Sequence, residues 1–346
     1  MAGTTVKDVT ALVQEELAEV NRCVEEALLP DRPELRALLG HVSGFRGKQL
    51  RPALNLLVAK ALGGLCSHHI KVGAILEMIH TATLVHDDIL DGALIRRKLA
   101  SLHSVYGHEV SVLVGDYIYA RAFQMSVDLP DPRCSRLLSE VTRVICQGEV
   151  TQMLHRFDLG FGEEQYFQVI YEKTAILYGA AAELGAYYAG ANENRVKEFR
   201  AFGDALGMAF QIIDDILDVA GEEDVVGKSL GTDLNKGKLT LPLIHLYGSL
   251  NTQARREFED MFRDGSREGR QAMIMDRFDL QPGIDYAQAK ADFYLERALE
   301  VLSKVSGESA IEGRAARSAN EESTPRACEA LEGLRILADF VLKRSS

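Results

Sequence analysis

The chain has 346 residues, a formal net charge of -12 and 47% hydrophobic residues. That acidic balance excludes a general nucleic-acid binder, which would present a basic face, but not an anionic small substrate, because small-molecule binding depends on local charge. The five cysteines, Cys23, Cys66, Cys134, Cys146 and Cys328, form no C-x-x-C pair, so they read as reduced thiols of a cytoplasmic protein rather than a zinc site or disulfide framework.

In chain order, the opening M-A-G-T-T-V-K-D-V-T lacks the charged-then-apolar layout of a signal peptide. No apolar run reaches the ~18 residues of a membrane span, so any membrane contact is expected to be transient and at the surface. Apolar residues recur at helical spacing almost throughout, and the 8 prolines stand at boundaries. The pattern predicts helices over 68–91, 108–128, 134–157, 163–190 and 194–220. Within the fourth, Ala175–Gly190 is rich in Gly and Ala and predicts a buried helix in close contact with its neighbours. Ser306–Arg326 is polar and predicts a loop or insertion before a final helix, Ala327–Lys343. The expectation is one all-α domain spanning 1–346.

Two segments echo each other. L-V-H-D-D-I-L-D carries Asp87, Asp88 and Asp91, and Q-I-I-D-D-I-L-D carries Asp214, Asp215 and Asp218. At helical spacing Asp87 and Asp91 share a face, as do Asp214 and Asp218. His80 falls on the first stripe, and Gln211 lies one turn before Asp214. A single acidic pair on a helix is ordinarily a solvated face. Two pairs embedded in Leu, Ile and Val are not, because a surface helix does not surround its charges with apolar residues. Like charges at i, i+4 repel. Hard divalent cations offset that cost, and Mg²⁺ takes a few carboxylates plus waters and phosphate oxygens.

Basic residues accompany both motifs. G-K-Q-L-R-P supplies Lys48 and Arg51 near a helix start, where free N–H groups attract anions. Arg96, Arg97 and Lys98 follow the first motif. Lys173 precedes Thr174, and a Gly-rich stretch after the second motif brings Lys228, Lys236 and Lys238. Any one of these alone is ordinarily a solvated charge. Together with two metal-type clusters they describe a site for substrates carrying several phosphates.

These motifs resemble, in order from about Gly44 to Pro242, those of the trans-isoprenyl (polyprenyl) diphosphate synthase family. Two D-D-x-x-D motifs, with G-K-x-x-R-P upstream, R-R after the first and G-x-D-L-x-x-G-K-x-T-L-P after the second, are very specific. V-L-V-G-D-Y-I-Y-A-R-A-F-Q-M is similar to the octaprenyl-type, long-chain branch. The resemblance implies the isoprenoid synthase fold, a single large helical bundle around a central cavity, with the motifs facing each other across its mouth. It also implies a homodimer. The implied reaction joins isopentenyl diphosphate to an allylic diphosphate, farnesyl or geranylgeranyl, with Mg²⁺ as cofactor.

Residue by residue, Asp87, Asp91 and Asp214, helped by Asp88, Asp215 and Asp218, would hold Mg²⁺. Lys48, Arg51, His80 and Arg97 would bind isopentenyl diphosphate. Arg96, Lys173, Lys228 and Lys238 would contact the allylic diphosphate, and Thr174 and Gln211 would point oxygens at the developing carbocation. The released diphosphate would accept the proton. Thr83 and Ala82, four and five positions before Asp87, are small where bulky residues would block the growing tail, and Ile79 and Leu76 follow down the helix. A long product, hexaprenyl to decaprenyl, is therefore expected, with a short-chain farnesyl or geranylgeranyl diphosphate synthase as the alternative.

Two features depart from the pattern. K-L-A-S follows the paired arginines where many relatives have G-K-P-T, which leaves that loop's conformation open. The 306–326 segment is longer than the family leads one to expect. A class I terpene cyclase would carry N-D-x-x-S-x-x-x-E at its second metal site, and a non-catalytic partner subunit would lose acidic motifs. A His-Asp phosphohydrolase would need a further histidine set beside His86. None of these fits.

Overall fold

The computed structural model describes residues 9–30, 32–45, 47–220, 232–263, 269–315 and 323–343. The helices are α1 (Gln14–Ala27), α2 (Arg36–Ser43), α3 (Leu50–Ala61), α4 (Ser67–Asp91), α5 (Leu102–Tyr106), α6 (His108–Val127), α7 (Arg133–Leu154) and α8 (Glu163–Ile170). They continue with α9 (Ile176–Tyr188), α10 (Glu193–Ala220), α11 (Thr232–Asn235), α12 (Leu241–Ser249), α13 (Thr252–Arg263), α14 (Arg270–Arg277), α15 (Gln281–Ala315) and α16 (Ser323–Lys343). A π-helical turn, Tyr171–Ala175, joins α8 to α9. Among the described residues the sheet content is one antiparallel hairpin, β1 (Ile95–Arg96) paired with β2 (Leu99–Ala100). No helix among them is long and apolar enough to cross a membrane.

The chain divides into two compact units. The first holds Met1–Thr142, Leu177–Gly203 and Leu299–Phe340, and the second holds Arg143–Ile176, Asp204–Ala298 and Val341–Ser346. In the first, α4 packs against α1, α3 and α6. Val72, Ala74, Ile75, Leu76, Met78 and Ile79 are fully buried, so most of its circumference lies in the core. Its start is fixed by a cap: the Cys66 N–H donates to His69 Nδ1 at 3.0 Å. The Gly- and Ala-rich α9 is buried as predicted, with Ala180, Ala181, Ala182 and Leu184 at zero exposure. In the second unit, Ile212 and Ile213 of α10 pack with Leu241, Phe258, Phe262 and Ile274. That packing pins the half of α10 that carries the second acidic motif.

One segment has a conformation that the sequence left open, and another differs from the sequence expectation. Residues 95–100, which include the paired arginines, form a hairpin, with Arg97 (φ 50°) and Lys98 (φ 68°) both in the left-handed region. A two-residue hairpin turn of the primed type demands that conformation. The polar stretch 306–326 is not a loop at its ends, because α15 runs on to Ala315 and α16 starts at Ser323. Its Glu, Ala and Arg are polar or small, yet they are good helix formers. Polarity reports what a segment faces, not whether its backbone is helical.

Candidate active site

The first acidic motif terminates its helix, Asp91 being the last residue of α4, and Asp214, Asp215 and Asp218 lie within α10. A helix C-terminus carries the negative end of the macrodipole, so carboxylates there are disfavoured and cations favoured. The first motif thus adds a helix-end penalty to its internal repulsion, and a bound cation relieves both.

In the first unit, Asp87 and Asp91 are partly exposed, whereas Asp88 is 1% exposed. Arg96, on β1, donates from Nε to Asp88 Oδ1 at 2.9 Å, and its Nη2 reaches the same oxygen. Asp88 Oδ2 is buried without a hydrogen-bond partner among the described residues. Arg97 folds back to donate to the Phe45 carbonyl. A Cβ on Gly47 would lie 2.2 Å from the Arg97 guanidinium, so the glycine of G-K-x-x-R-P leaves room for that arginine. Arg51 lies with its guanidinium 4.5 Å above the Tyr178 ring, and Lys48 Nζ lies 5.2 Å from the Phe340 ring centroid.

The three arginines act together on His80. Burial first, then Arg51, Arg97 and Arg96, holds its imidazole well below the ordinary histidine range. Glu77 is the buried carboxylate of the cluster: burial raises its pKa, and Arg51 and Arg97 act against that rise. The result is a neutral imidazole among guanidiniums, an arrangement suited to an anion. Farther along α4, Ala82, Ile79 and Leu76 are fully buried. Thr83 is partly exposed and donates its hydroxyl to the His80 carbonyl at 2.7 Å.

In the second unit, the π-helical turn carries Lys173 and Thr174, and such turns occur often at functional sites. Lys173 Nζ donates to Gln152 Oε1 at 2.6 Å and pairs with the Glu149 carboxylate, both from α7. A Cβ on Gly148 would lie 2.7 Å from Glu172 Cβ, so a glycine lets α7 approach the turn. Thr174 Oγ1 donates to Gln211 Oε1 at 2.7 Å. Gln211 Nε2 donates to Asp215 Oδ1 at 2.8 Å, and the Tyr166 hydroxyl donates to Asp215 Oδ2 at 2.7 Å. Burial, then the Asp233 carboxylate, pushes the Asp215 carboxyl up to about 8, with the bonds from Tyr166 and Gln211 acting against that rise.

Asp214 and Asp218 are partly exposed, and Asp218 Oδ2 accepts the Asp233 N–H at 3.3 Å. Lys238 is largely buried and pairs with Asp233 at 3.2 Å, so Asp233 lies between Lys238 and the motif. Lys228 lies outside the described residues.

The sequence named Asp88, Arg96, Thr174 and Gln211 as candidates, and the structure bonds Asp88 to Arg96 and Thr174 to Gln211. Tyr166, Glu149, Gln152 and Glu77 went unremarked. Glu149 and Gln152 sit at i, i+3 just after Gly148, a pattern visible only once a neighbouring helix is known to need a small residue there.

A model of the polyprenyl synthetase family matches residues 32–276. The chain belongs to the polyprenyl synthetase family. It is 34% identical over 297 residues to octaprenyl diphosphate synthase of Escherichia coli (strain K12), covering 86% of this chain and 92% of that protein. It is also 32% identical over 334 residues to geranylgeranyl diphosphate synthase of Sulfolobus acidocaldarius, covering 94% and 95%. The crystal structure of polyprenyl synthase from Caulobacter crescentus CB15, complexed with calcium and isoprenyl diphosphate, aligns over the full length of both chains at 31% identity and a TM-score of 0.82. The sequence resemblance and the all-α isoprenoid synthase fold are therefore borne out. As a polyprenyl synthetase the chain is an enzyme, a trans-prenyltransferase that makes a prenyl diphosphate. Relatives at similar identity make products of different length, so family membership does not fix the length.

Proposed function

We propose that the chain is a Mg²⁺-dependent synthase that condenses isopentenyl diphosphate with farnesyl or geranylgeranyl diphosphate into an all-trans product of hexaprenyl to decaprenyl length. The observation that carries this reading is the pair of acidic motifs, each with two partly exposed carboxylates one helical turn apart, the first of them closing its helix at the end where cations are most welcome. Mg²⁺ would fit such donors, because it takes one or two carboxylates together with waters and substrate phosphates. Asp87, Asp91, Asp214 and Asp218 are the accessible donors, and the unpartnered Asp88 Oδ2 adds negative potential behind the first pair. When bound, the metal stabilises the charge on the departing diphosphate.

The remaining groups divide the work. Lys48, Arg51, His80 and Arg97 grip isopentenyl diphosphate. Arg96, Lys173, Lys228 and Lys238 grip the allylic diphosphate. As the allylic C–O bond breaks, its electron pair leaves with the diphosphate. The oxygens of Thr174 and Gln211 steady the cation left on carbon. The isopentenyl double bond then attacks that carbon and a proton is lost to the released diphosphate, so no protein nucleophile is required. Apolar walls exclude the water that would quench the cation.

The chain acts as one synthase domain. This reading is supported by the full-length alignment with the Caulobacter crescentus polyprenyl synthase. A homodimer is supported by the exposed Val112, Leu113 and Val127 on α6, the last two at 67% and 70% exposure. The reaction is cytoplasmic, in keeping with five unpaired cysteines, and the lipid product leaves through transient contact with a membrane surface.

Substrate kinetics test the division of labour. Lys48→Ala or Arg51→Ala should chiefly raise KM for isopentenyl diphosphate, each losing a charge-assisted contact worth roughly 1.5–3 kcal/mol. Arg96→Ala should act on the allylic substrate. If Lys48→Ala weakens only allylic binding, the assignment is wrong.

A further inference from the structure

Four side chains of the second unit form an unbroken hydrogen-bonded chain: Tyr166 to Asp215, Gln211 to Asp215, and Thr174 to Gln211, at 2.7, 2.8 and 2.7 Å. They come from three elements: α8, the π-helical turn and α10. Tyr166 is 3% exposed and Asp215 5% exposed. The Tyr166 ring packs edge-on against Phe167 with centroids 5.5 Å apart, which fixes where its hydroxyl points.

The direction of each bond matters. A primary amide has one donating and one accepting end. Gln211 spends its NH₂ on Asp215, so its carbonyl oxygen is the end turned toward the Thr174 hydroxyl. Asp215 therefore dictates which end of Gln211 faces the reacting carbon, and Tyr166 in turn holds Asp215 by its other oxygen. Removing the Tyr166 hydroxyl would leave Asp215 Oδ2 buried without its donor, and buried polar groups rearrange to regain partners. The groups within reach of that rearrangement include Gln211.

We propose that Tyr166 is a positioning residue for the prenyl-transfer step: acting through Asp215, it keeps the Gln211 carbonyl oxygen beside Thr174 and aimed at the developing carbocation. This rests on the roles given to Gln211 and Thr174 above. Tyr166 itself touches no substrate. Its effect belongs to the chemical step, where the cation exists, and not to binding of either diphosphate.

The test is steady-state kinetics of Tyr166→Phe, which keeps the ring and removes the hydroxyl. The expected result is a kcat lower by about 10- to 100-fold, with KM for both substrates and the Mg²⁺ concentration for half-maximal rate each within about threefold of wild type. A variant that merely loosened the metal-bearing end of α10 would shift the Mg²⁺ requirement, and that result overturns the proposal, as does an unchanged kcat. In a Gln211→Leu background the chain is already broken, so adding Tyr166→Phe should cost less than about twofold more. Fully multiplied losses would mean that Tyr166 acts independently, and would overturn the proposal. Should Gln211→Leu alone retain wild-type kcat, the role of Gln211 itself fails and the proposal falls with it, a result distinct from the preceding ones. If Tyr166→Phe does not fold, Asp215→Asn serves instead. Its amide can donate to Gln211 and turn it over, so kcat should fall with both KM values unchanged, and full activity would overturn the proposal.

Discussion

Asp88 and Asp215 are the second aspartates of their motifs, and both are almost wholly buried and tied to protein partners, Arg96 in one unit and Tyr166 with Gln211 in the other. Their neighbours Asp87, Asp91, Asp214 and Asp218 remain partly exposed. Burial thus separates residues that the sequence writes with the same letter. Asp87→Ala or Asp214→Ala should lower turnover by on the order of 10³-fold, the several kcal/mol that a metal clamp supplies. The fold should persist, because removing one of two like charges at i, i+4 relieves repulsion. Rate measurements beside circular dichroism decide this, and full activity at ordinary Mg²⁺ would contradict the metal assignment.

His80 offers a second residue-scale test. Arg51, Arg96 and Arg97 surround it, with Glu77 buried on the same helix, and its folded pKa is held well below the ordinary value. The unfolded chain takes up a proton near pH ~6.5, and the folded chain does not until much lower pH. Stability is therefore full above the unfolded pKa and declines as pH falls below it. His80→Gln removes that share of the decline. The stability gap between wild type and variant should shift against the wild type from pH 7.5 to 5.5 in denaturant melts, and a gap independent of pH would contradict it.

At the scale of elements, helices were the most legible feature, because a buried helix writes its period in apolar residues. The predicted span 68–91 corresponds to Ser67–Asp91, and 194–220 to Glu193–Ala220. The π-helical turn at Tyr171–Ala175 was not legible, since one extra residue per turn leaves the apolar pattern almost intact. Nor was the hairpin, because Arg97 and Lys98 lack the glycine or asparagine that announces a primed turn. At Lys98 (φ 68°) a side chain is strained where glycine is not. Lys98→Gly should raise unfolding free energy by about 1 kcal/mol, the left-handed penalty less the entropy lost in ordering glycine. A denaturant titration that finds the variant less stable would show that Lys98 makes contacts that outweigh the strain. The site partners Glu149, Gln152 and Glu77 were illegible for another reason. A polar residue becomes recognisable as a partner only when the element opposite it is known.

For the whole molecule, the sequence motifs and the comparisons agree on trans-prenyl transfer, and the open quantity is product length. Relatives making octaprenyl and geranylgeranyl products are about equally similar. Under the proposed function, the small residues Ala82 and Thr83 ahead of Asp87 would leave room for a long tail, with each further CH₂ buried contributing about 0.8 kcal/mol until a bulky side chain stops it. The most direct test is to incubate the protein with labelled isopentenyl diphosphate, farnesyl diphosphate and Mg²⁺, and to separate the dephosphorylated products by chromatography, for wild type and for Ala82→Phe. The account predicts hexaprenyl to decaprenyl products that vanish on metal chelation, and a shift toward geranylgeranyl length in the variant. A wild type that stops at farnesyl or geranylgeranyl, or a variant with an unchanged product distribution, would contradict it.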